Sequence, residues 1–326
     1  MTNFRTELTP APSEHKISLH SPILTLGSCF ADTMGQRLVD YKFPTIANPF
    51  GVIFNPVSLA TLLGQVLDER LPREDHYLQH NGLWQHFDLH SDFAHPDLTT
   101  LERALQTTWL DLRNHFMHCK WLVITLGTTT VYQLKESGQI VANCHKVSAD
   151  AFEKKHLTVA EVQGALSYVL EKLWEKFPQI RVVLTVSPVR HLKDTLQTNS
   201  LSKATLRVAA GELEERYEQV QYFPAYELMM DDLRDYRFYS EDMLHLAPTA
   251  QDYVWQKFTE AYLDEGAQAF LPAWEQIRRA IAHRPRQPES EAHQAFLRKT
   301  LEKLALWDDV VDTSKERELL EGQLVS

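Results

Sequence analysis

The chain alternates short, continuous apolar runs with longer segments in which apolar residues recur at helical spacing. Apolar runs of about five residues predict buried strands, and each run is followed by a segment with the period of an amphipathic helix. A final strand is predicted through "VQYFPAYELM" and a hairpin around "ESG" (136–138). Such alternation is typical of a mostly parallel sheet with helices on both faces. The five strands are predicted to begin near Ile23, Thr45, Leu122, Val182 and Gln221.

The pattern changes after Leu263, where helical segments follow one another with no strand among them. We therefore expect three parts: an N-terminal segment over 1–19, an α/β domain over 20–262 and a helical C-terminal extension over 263–326. The apolar stripe of the first extension helix needs cover, from the domain or from a second copy of the chain. This stripe consists of Phe270, Leu271, Trp274, Ile277 and Ile281.

Composition and charge narrow the class of protein. The formal net charge of −11 and the lack of a sustained Lys/Arg run argue against nucleic acid as a partner. No apolar run approaches the ~20 residues of a membrane span, and the N-terminus lacks a signal-peptide pattern, which predicts a cytoplasmic protein without a membrane contact. Three cysteines in a chain of 326 residues favour reduced thiols over a disulfide framework.

Candidate chemistry stands where the predicted strands end, since reactive groups of parallel sheets collect in the loops at the carboxyl ends of the strands. The first strand is followed by Gly27, Ser28 and Cys29, the third by "LGTTT" and the fourth by "SPVRH". Beyond the last strand, Asp242 and His245 stand three apart in a predicted loop. A hydroxyl or thiol, a histidine beside a carboxylate, and turns that offer N–H groups to an oxyanion together favour covalent acyl chemistry.

The segment "GSCFA" at Gly27 to Ala31 is the motif that names the GSCFA-domain proteins, and the chain resembles that family over roughly residues 20–262. The blocks "NPFGVIFNP", "TLGTT", "TVSPVRH" and "EDMLH" resemble further signatures of the family. That family is similar to the SGNH/GDSL hydrolases, which have a three-layer α/β/α, flavodoxin-like fold. The resemblance implies this fold and, less directly, hydrolase activity on esters.

The same resemblance assigns site residues. The nucleophile of the SGNH hydrolases stands two positions after a glycine, which here is Cys29, and their acid–histidine block falls on Asp242 and His245. Their oxyanion-hole glycine falls on Gly51, and their third block on Gly127 to Thr129.

Two positions depart from the SGNH pattern. Cys29 replaces the nucleophilic serine, so the neighbouring Ser28 is an alternative that would need the histidine as its base. We expect a thiolate to be favoured at Cys29, because a helix start or a histidinium lowers the pKa of a thiol. Thr129 replaces the oxyanion asparagine, so Asn55 or Asn48 is a candidate for the missing donor.

Two further groups were weighed. The residues His86, Asp88 and His90 recur with period two, so on a strand they would share a face and could hold a metal; the family resemblance instead implies a site-lining role for this block. Arg190 and His191 follow a buried strand. The arginine would pair with one of the many carboxylates, hold a substrate carboxylate or fix the loop that bears the nucleophile.

The leading hypothesis is an SGNH-like enzyme that hydrolyses or transfers the acyl group of a small-molecule or glycan ester, such as an acetylated sugar, with no metal or organic cofactor. One alternative is a catalytically silent binding or assembly protein on the same fold. The other is a metal-dependent hydrolase built on His86, Asp88 and His90. A homo-oligomer formed through the C-terminal helices is a further expectation.

Overall fold

The computed structural model describes residues 5–193 and 195–325, so residues 1–4 of the N-terminal segment, Asp194 and Ser326 lie outside the described residues. The central sheet has five parallel strands in the spatial order β2-β1-β5-β9-β10, which is the flavodoxin-like order. Each strand begins within one residue of its predicted start, so the predicted sheet is confirmed. The strands are β1 (Ile23–Gly27), β2 (Thr45–Ala47), β5 (Trp121–Leu126), β9 (Arg181–Val186) and β10 (Val220–Tyr222).

Side chains of the central strands alternate between two apolar layers. In β5, Leu122 and Ile124 pack on one face of the sheet, and Trp121 and Val123 pack on the other. The first face is covered by α2 (Pro56–Leu67), α3 (Leu98–Phe116), α4 (Val159–Lys176) and α5 (Leu196–Arg216). The second is covered by α1 (Cys29–Asp40), α7 (Pro248–Tyr262) and α8 (Glu265–Ala282). The three-layer α/β/α fold is therefore confirmed.

The last strand is shorter than predicted. β10 ends at Tyr222, and the chain turns at Pro224 into a short helix, α6 (Ala225–Glu227), and a π-helical turn (Leu228–Leu233). The prediction of a strand to Met229 was wrong, because proline offers no N–H to a strand ladder. The apolar residues of this stretch are buried by a helical turn instead.

Two small antiparallel sheets supplement the central one. The strands β3 (Tyr77–His80) and β4 (Leu83–His86) form a hairpin. β6 (Thr130–Leu134) pairs with both β7 (Ile140–Val141) and β8 (Phe152–His156), and the β6–β7 hairpin confirms the predicted turn at 136–138.

The chain after α7 is helical throughout α8, α9 (Glu291–Ala305) and α10 (Ser314–Glu321). The indole N–H of Trp274, a fully buried residue of α8, donates to the carbonyl oxygen of Asp40 at the end of α1 (3.0 Å). In the N-terminal segment, Ile17 forms a parallel bridge with Leu263. Among the described residues, no helix combines the length and apolarity that crossing a bilayer demands.

Candidate active site

A cavity of about 490 Å³ opens where β1, β5 and β9 end. Its lining brings together Cys29, Gly127, Arg190 and His245, which are far apart in the sequence. The walls are largely apolar, and polar groups converge at its base and mouth. The remaining lining residues are Ser28, Val52, Phe54, His90, Ser187, Val189, His191, Leu192, Lys193, Lys203 and Leu244.

The turn between β1 and α1 depends on glycine. Gly27 has a φ of +135°, and a Cβ at this position would lie 2.1 Å from the carbonyl oxygen of Thr125 in the neighbouring strand. The side chain of Asn48 holds the turn, since its Oδ1 accepts the N–H of Gly27 at 2.8 Å. The turn therefore has one backbone conformation, and the chain passes from β1 directly into α1.

Ser28 and Cys29 have different environments in this turn. Ser28 is buried and caps α1, with its Oγ accepting the N–H of Phe30 at 3.3 Å. Cys29 is the first residue of the helix, and its half-buried thiol lines the cavity. Burial raises the pKa of this thiol, and the opposing effects of Lys203 and of the N–H groups of Phe30 and Cys29 are smaller. The prediction that the pKa of this thiol is lowered was wrong, because desolvation raises the pKa by more than the helix start lowers it.

Lys203 is a site residue that the sequence analysis did not identify. Its side chain is fully buried beneath the cavity, and Nζ donates to the carbonyl oxygens of Gly127 (2.8 Å) and Ser187 (2.7 Å). These carbonyls follow the ends of β5 and β9, so one amine joins two neighbouring strands. Burial lowers the pKa of Lys203 to about 7, and the charge of Cys29 opposes that shift.

Asp242 and His245 form a hydrogen-bonded pair in the loop before α7. Oδ2 of Asp242 lies 2.6 Å from Nδ1 of His245, and Oδ1 accepts the backbone N–H groups of Leu244 (2.9 Å) and His245 (3.0 Å). Hydrogen bonds from the backbone and ring of His245 lower the pKa of Asp242 to about 2. An ionised carboxylate on Nδ1 directs the ring so that Nε2 is the atom available for proton exchange.

Arg190 has no carboxylate within 4.0 Å of its guanidinium in the part of the chain that the structure describes. The guanidinium lies over the ring of Tyr239 (5.3 Å to the centroid), and its Nη2 lies 3.6 Å from the sulfur of Met230. The alternative of a salt bridge is therefore not observed. His191 stacks its ring on Phe54, with 5.6 Å between centroids.

Four candidate oxyanion residues lie outside the cavity lining: Asn48, which holds the Gly27 turn, and Gly51, Asn55 and Thr129. The N–H of Gly51 donates to the carbonyl oxygen of Asn48 (2.7 Å). Asn55 caps α2, with Oδ1 accepting the N–H of Ser58 (2.8 Å). The N–H of Thr129 donates to Oγ of Ser202, a residue of α5, at 2.7 Å.

Gly51 has a different steric role beside the cavity. Its φ is +73°, and a Cβ there would lie 2.2 Å from Cβ of His90. The glycine thus allows His90 to approach and line the cavity, which agrees with the site-lining role expected for that histidine.

The block around His86 does not form the predicted metal face. β4 ends at His86, so Asp88 and His90 do not continue its alternation. Nδ1 of His86 accepts the N–H of Asp88 (3.1 Å), and Nε2 therefore donates to the carbonyl oxygen of Arg73 (2.9 Å). Within residues 5–193 and 195–325, no three His, Cys, Asp or Glu side chains are grouped to hold a metal ion. The arrangement predicted for a metal-dependent hydrolase is wrong.

Solved structures similar to this chain were found at low identity. A candidate acylhydrolase from Bacteroides fragilis is 10% identical, with a TM-score of 0.39 over 82% of this chain and 92% of that chain. A carbohydrate esterase family 2 enzyme with a carbohydrate-binding domain, from Corynascus thermopiles (Myceliophthora fergusii), is 17% identical, with a TM-score of 0.29 over 47% of this chain and 38% of that chain. A candidate platelet activating factor from Streptococcus pneumonia is 12% identical, with a TM-score of 0.37 over 74% of this chain and 83% of that chain. These similarities are too weak to transfer an activity.

Comparison with sequence families is more decisive. A search of curated proteins gave no match. The family model described as "GSCFA domain protein, C-terminal domain" matches residues 274–326. The model described as "GSCFA family" matches residues 22–258, which include the Gly27 turn, the strand ends around the cavity and the Asp242–His245 loop. Because this match spans most of the chain, the protein belongs to the GSCFA family.

Proposed function

We propose that the protein hydrolyses or transfers the acyl group of an ester, with Cys29 as the nucleophile. The observation that carries this proposal is that Cys29 and His245 line one cavity and that Asp242 orients the histidine there. A thiol at a helix start, with a carboxylate-bound imidazole in the same cavity, is the arrangement that covalent acyl chemistry requires.

The reaction has two halves. Sγ of Cys29 attacks the ester carbonyl carbon as a base in the cavity takes the thiol proton, and the new oxyanion lies beside the backbone N–H of Cys29 at the start of α1. The C–O bond then breaks, His245 protonates the leaving oxygen, and a thioester remains on Cys29. In the second half, His245 takes a proton from water or from an acceptor alcohol, which attacks the thioester and releases the thiol. Asp242 stays ionised and stabilises the imidazolium form of His245.

The cavity lining indicates the class of substrate. Val52, Phe54 and Leu244 offer apolar surface to an acyl or alkyl group. Arg190 contributes a cation that no described carboxylate neutralises. We therefore place a short acyl ester in the cavity, with a carboxylate or another anionic group of the substrate on Arg190. Esters of acidic sugars belong to this class, as do small acylated acids.

A binding protein is the second candidate function. The observation that favours it is that the N–H of Gly51, the Nδ2 of Asn55 and the N–H of Thr129 donate to other protein groups, so the oxyanion relies on the start of α1. Loss of one oxyanion donor typically costs about 10²–10³-fold in rate. Such a protein would bind an ester in the cavity and leave it intact.

A panel of short-chain 4-nitrophenyl esters and acetylated sugars, with and without a carboxylate, tests the proposal. The wild type is expected to turn over at least one ester and to carry its acyl group on Cys29, as measured by mass spectrometry of the intact protein and its peptides. Cys29→Ala should lose turnover and adduct, Ser28→Ala should keep a measurable fraction, and the matched control Cys144→Ala should be unchanged.

Other outcomes contradict parts of the proposal. Turnover by Cys29→Ala together with an inactive Ser28→Ala would assign the attack to the hydroxyl. Full activity in both variants would remove the nucleophile from this turn altogether. An ester that binds to the cavity but is never cleaved, even at high protein concentration, would identify a binding protein.

A further inference from the structure

Lys203 and Cys29 line the same cavity, and the reaction described above leaves the buried amine of Lys203 without a role. Lysine is almost never fully buried without a charged partner, since desolvating an ammonium is costly. Among the described residues, Cys29 is the titratable group that acts on Lys203, and the nearest polar contacts of the Lys203 amine are two carbonyl oxygens. A helix position that is simply structural would be better filled by an apolar residue.

The two hydrogen bonds define what Nζ can still do. A lysine nitrogen has three positions besides its Cδ–Cε stem. Two of them are N–H donors to the carbonyls of Gly127 and Ser187. The third is an N–H in the ammonium and a lone pair in the neutral amine. Both forms are accessible near neutral pH, because burial holds the pKa of this amine at about 7. Such a group is matched to general-base work.

We propose that Lys203 is the base that takes the thiol proton of Cys29, and that His245 serves only the leaving group and the incoming water or acceptor. This inference rests on the proposed function. The S–H bond breaks, its proton moves to the lone pair of Nζ, and the electron pair stays on Sγ as the C–S bond forms. No hydrogen bond joins Sγ to Nζ among the described residues, so the thiol rotates towards the amine or one water carries the proton.

The protons balance over the cycle. His245 begins as the imidazolium, protonates the leaving oxygen, and regains a proton from water or acceptor in the second half. Lys203 begins neutral, becomes the ammonium at attack, and returns its proton to sulfur when the thioester breaks. Each base therefore moves one proton out and back, and the net reaction is that of ester hydrolysis or acyl transfer.

The cavity holds other groups that exchange protons, so the test must separate them from Lys203. Imidazoles in general titrate near neutral pH. The charged and titratable groups around the thiol and the amine are Asp32 on α1, His90, Arg190, His191, Lys193 and His245. Of these, Asp32 raises the pKa of the Cys29 thiol from within the same helix.

The test measures the alkylation rate of Cys29 by iodoacetamide between pH 6 and pH 10, by peptide mass spectrometry, in a Cys144→Ala background. Cys119 is a built-in inert control, because burial raises the pKa of its thiol to about 12. Lys203→Gln removes the base but keeps an N–H donor for the two carbonyls, and His245→Ala removes the other base. We expect Lys203→Gln to slow alkylation at pH 7 about 10-fold and to raise its midpoint by about one pH unit, and His245→Ala to move the midpoint by less than about 0.3.

A second variant guards against a purely structural effect. Lys203→Ala leaves space for a small amine, so methylamine, ethylamine and 2-fluoroethylamine are added to it during turnover. A base role predicts rescue that increases with the basicity of the added amine, whereas a packing role predicts none. If the wild type cleaves an ester but Lys203→Gln leaves the alkylation profile unchanged, only this inference is overturned. A wild type that cleaves no ester overturns the proposed function, whatever the alkylation profile.

Discussion

The protein contains two Asp–His pairs of nearly the same geometry in very different surroundings. His76 Nδ1 lies 2.8 Å from Asp88 Oδ1, and His245 Nδ1 lies 2.6 Å from Asp242 Oδ2. The first pair is almost fully buried, with side chains 3% and 6% exposed. The second is about half exposed, at 50% and 46%. Of these four residues, His245 alone lines the cavity that holds Cys29.

The comparison indicates that two pairs with similar hydrogen-bond geometry can have different roles. A buried Asp–His pair stabilises the fold around β3 and β4, because neither partner can exchange its hydrogen bond for water without a cost. An exposed pair contributes little to stability, but it can deliver protons to a substrate. Within "LWQHFDLHSDFAHPD", His86 and Asp88 therefore belong to a packed polar cluster, and the sparser "EDMLH" supplies the catalytic candidate.

Removing the two histidines gives the largest contrast. His245→Ala is expected to lower kcat about 10³-fold while the melting temperature changes little, because it removes a proton-transfer group from a half-exposed loop. His76→Ala is expected to lower the melting temperature and to change kcat little, since it leaves Asp88 buried without its partner. Ester turnover and thermal unfolding of both variants make the comparison. Equal loss of kcat in the two, at equal stability, would show that the pairs are not distinct.

Substituting the two aspartates tests how each one orients its histidine, and the expected effects are smaller. Asp242→Asn retains the size of the side chain but not its charge, and is expected to lower kcat about 10²-fold, because Nδ1 of His245 loses its ionised acceptor. Asp88→Asn is expected to reduce the free energy of unfolding by about 1–3 kcal/mol with kcat within twofold. Urea unfolding and steady-state kinetics measure the two effects. A catalytic loss in Asp88→Asn larger than that in Asp242→Asn would reverse the assignment.

Gly51 contacts the cavity-lining His90, and its substitution has a smaller expected effect on activity. In Gly51→Ala the new Cβ would meet His90 Cβ, and the φ of +73° would be strained. We expect a loss of about 1–2 kcal/mol in stability and a severalfold rise in KM, because His90 moves within the cavity lining. Gly138→Ala, also at positive φ but with only the Gln133 side chain near its Cβ, is the matched control. A KM that responds equally to both would place His90 outside substrate binding.

The smallest effect is in the acid dependence of stability. The pKa of Asp242 is about 2 in the folded protein and 3.8 in its unperturbed form, so the folded state favours the carboxylate. The stability that this group adds is complete above about pH 5 and is lost as pH falls through about 2. The difference in unfolding midpoint between the wild type and Asp242→Asn should therefore be constant from pH 7 to pH 5 and shrink below pH 4. A difference that grew on acidification would contradict the sign of the shift.

Much of the central sheet could be predicted because its strands are short apolar runs with turn residues at their ends. Ile23, Trp121 and Arg181 begin three adjacent strands in register, and each lies at or one residue from a predicted start. In the small sheets, the β6–β7 hairpin could be predicted from its turn at 136–138, but other strands carry no such signal. β8, for example, has four exposed residues of five, so its pattern is that of a loop.

The candidate site residues also divide into those that the sequence predicts and those that it does not. Cys29, Asp242 and His245 could be found because they stand in motifs next to predicted strand ends. Lys203 could not be found by motif, since lysine in a helix ordinarily faces solvent. One signal was present: Asn199, Lys203 and Leu206 fall on the helix stripe that also carries Ala210 and Leu213, and this stripe is buried. A lysine among the buried positions of a helix is the pattern that indicates a function for its side chain.

The hydrogen bond from Trp274 to Asp40 ties the C-terminal extension to the far end of the helix that presents Cys29. A helix of 12 residues is a rod of about 18 Å, and a rod fixed at both ends cannot tilt freely. The contact between the extension and α1 therefore restricts the angle between α1 and the sheet. We expect sequence changes in α8 to alter the cavity through the position of α1, although no residue of α8 lines it.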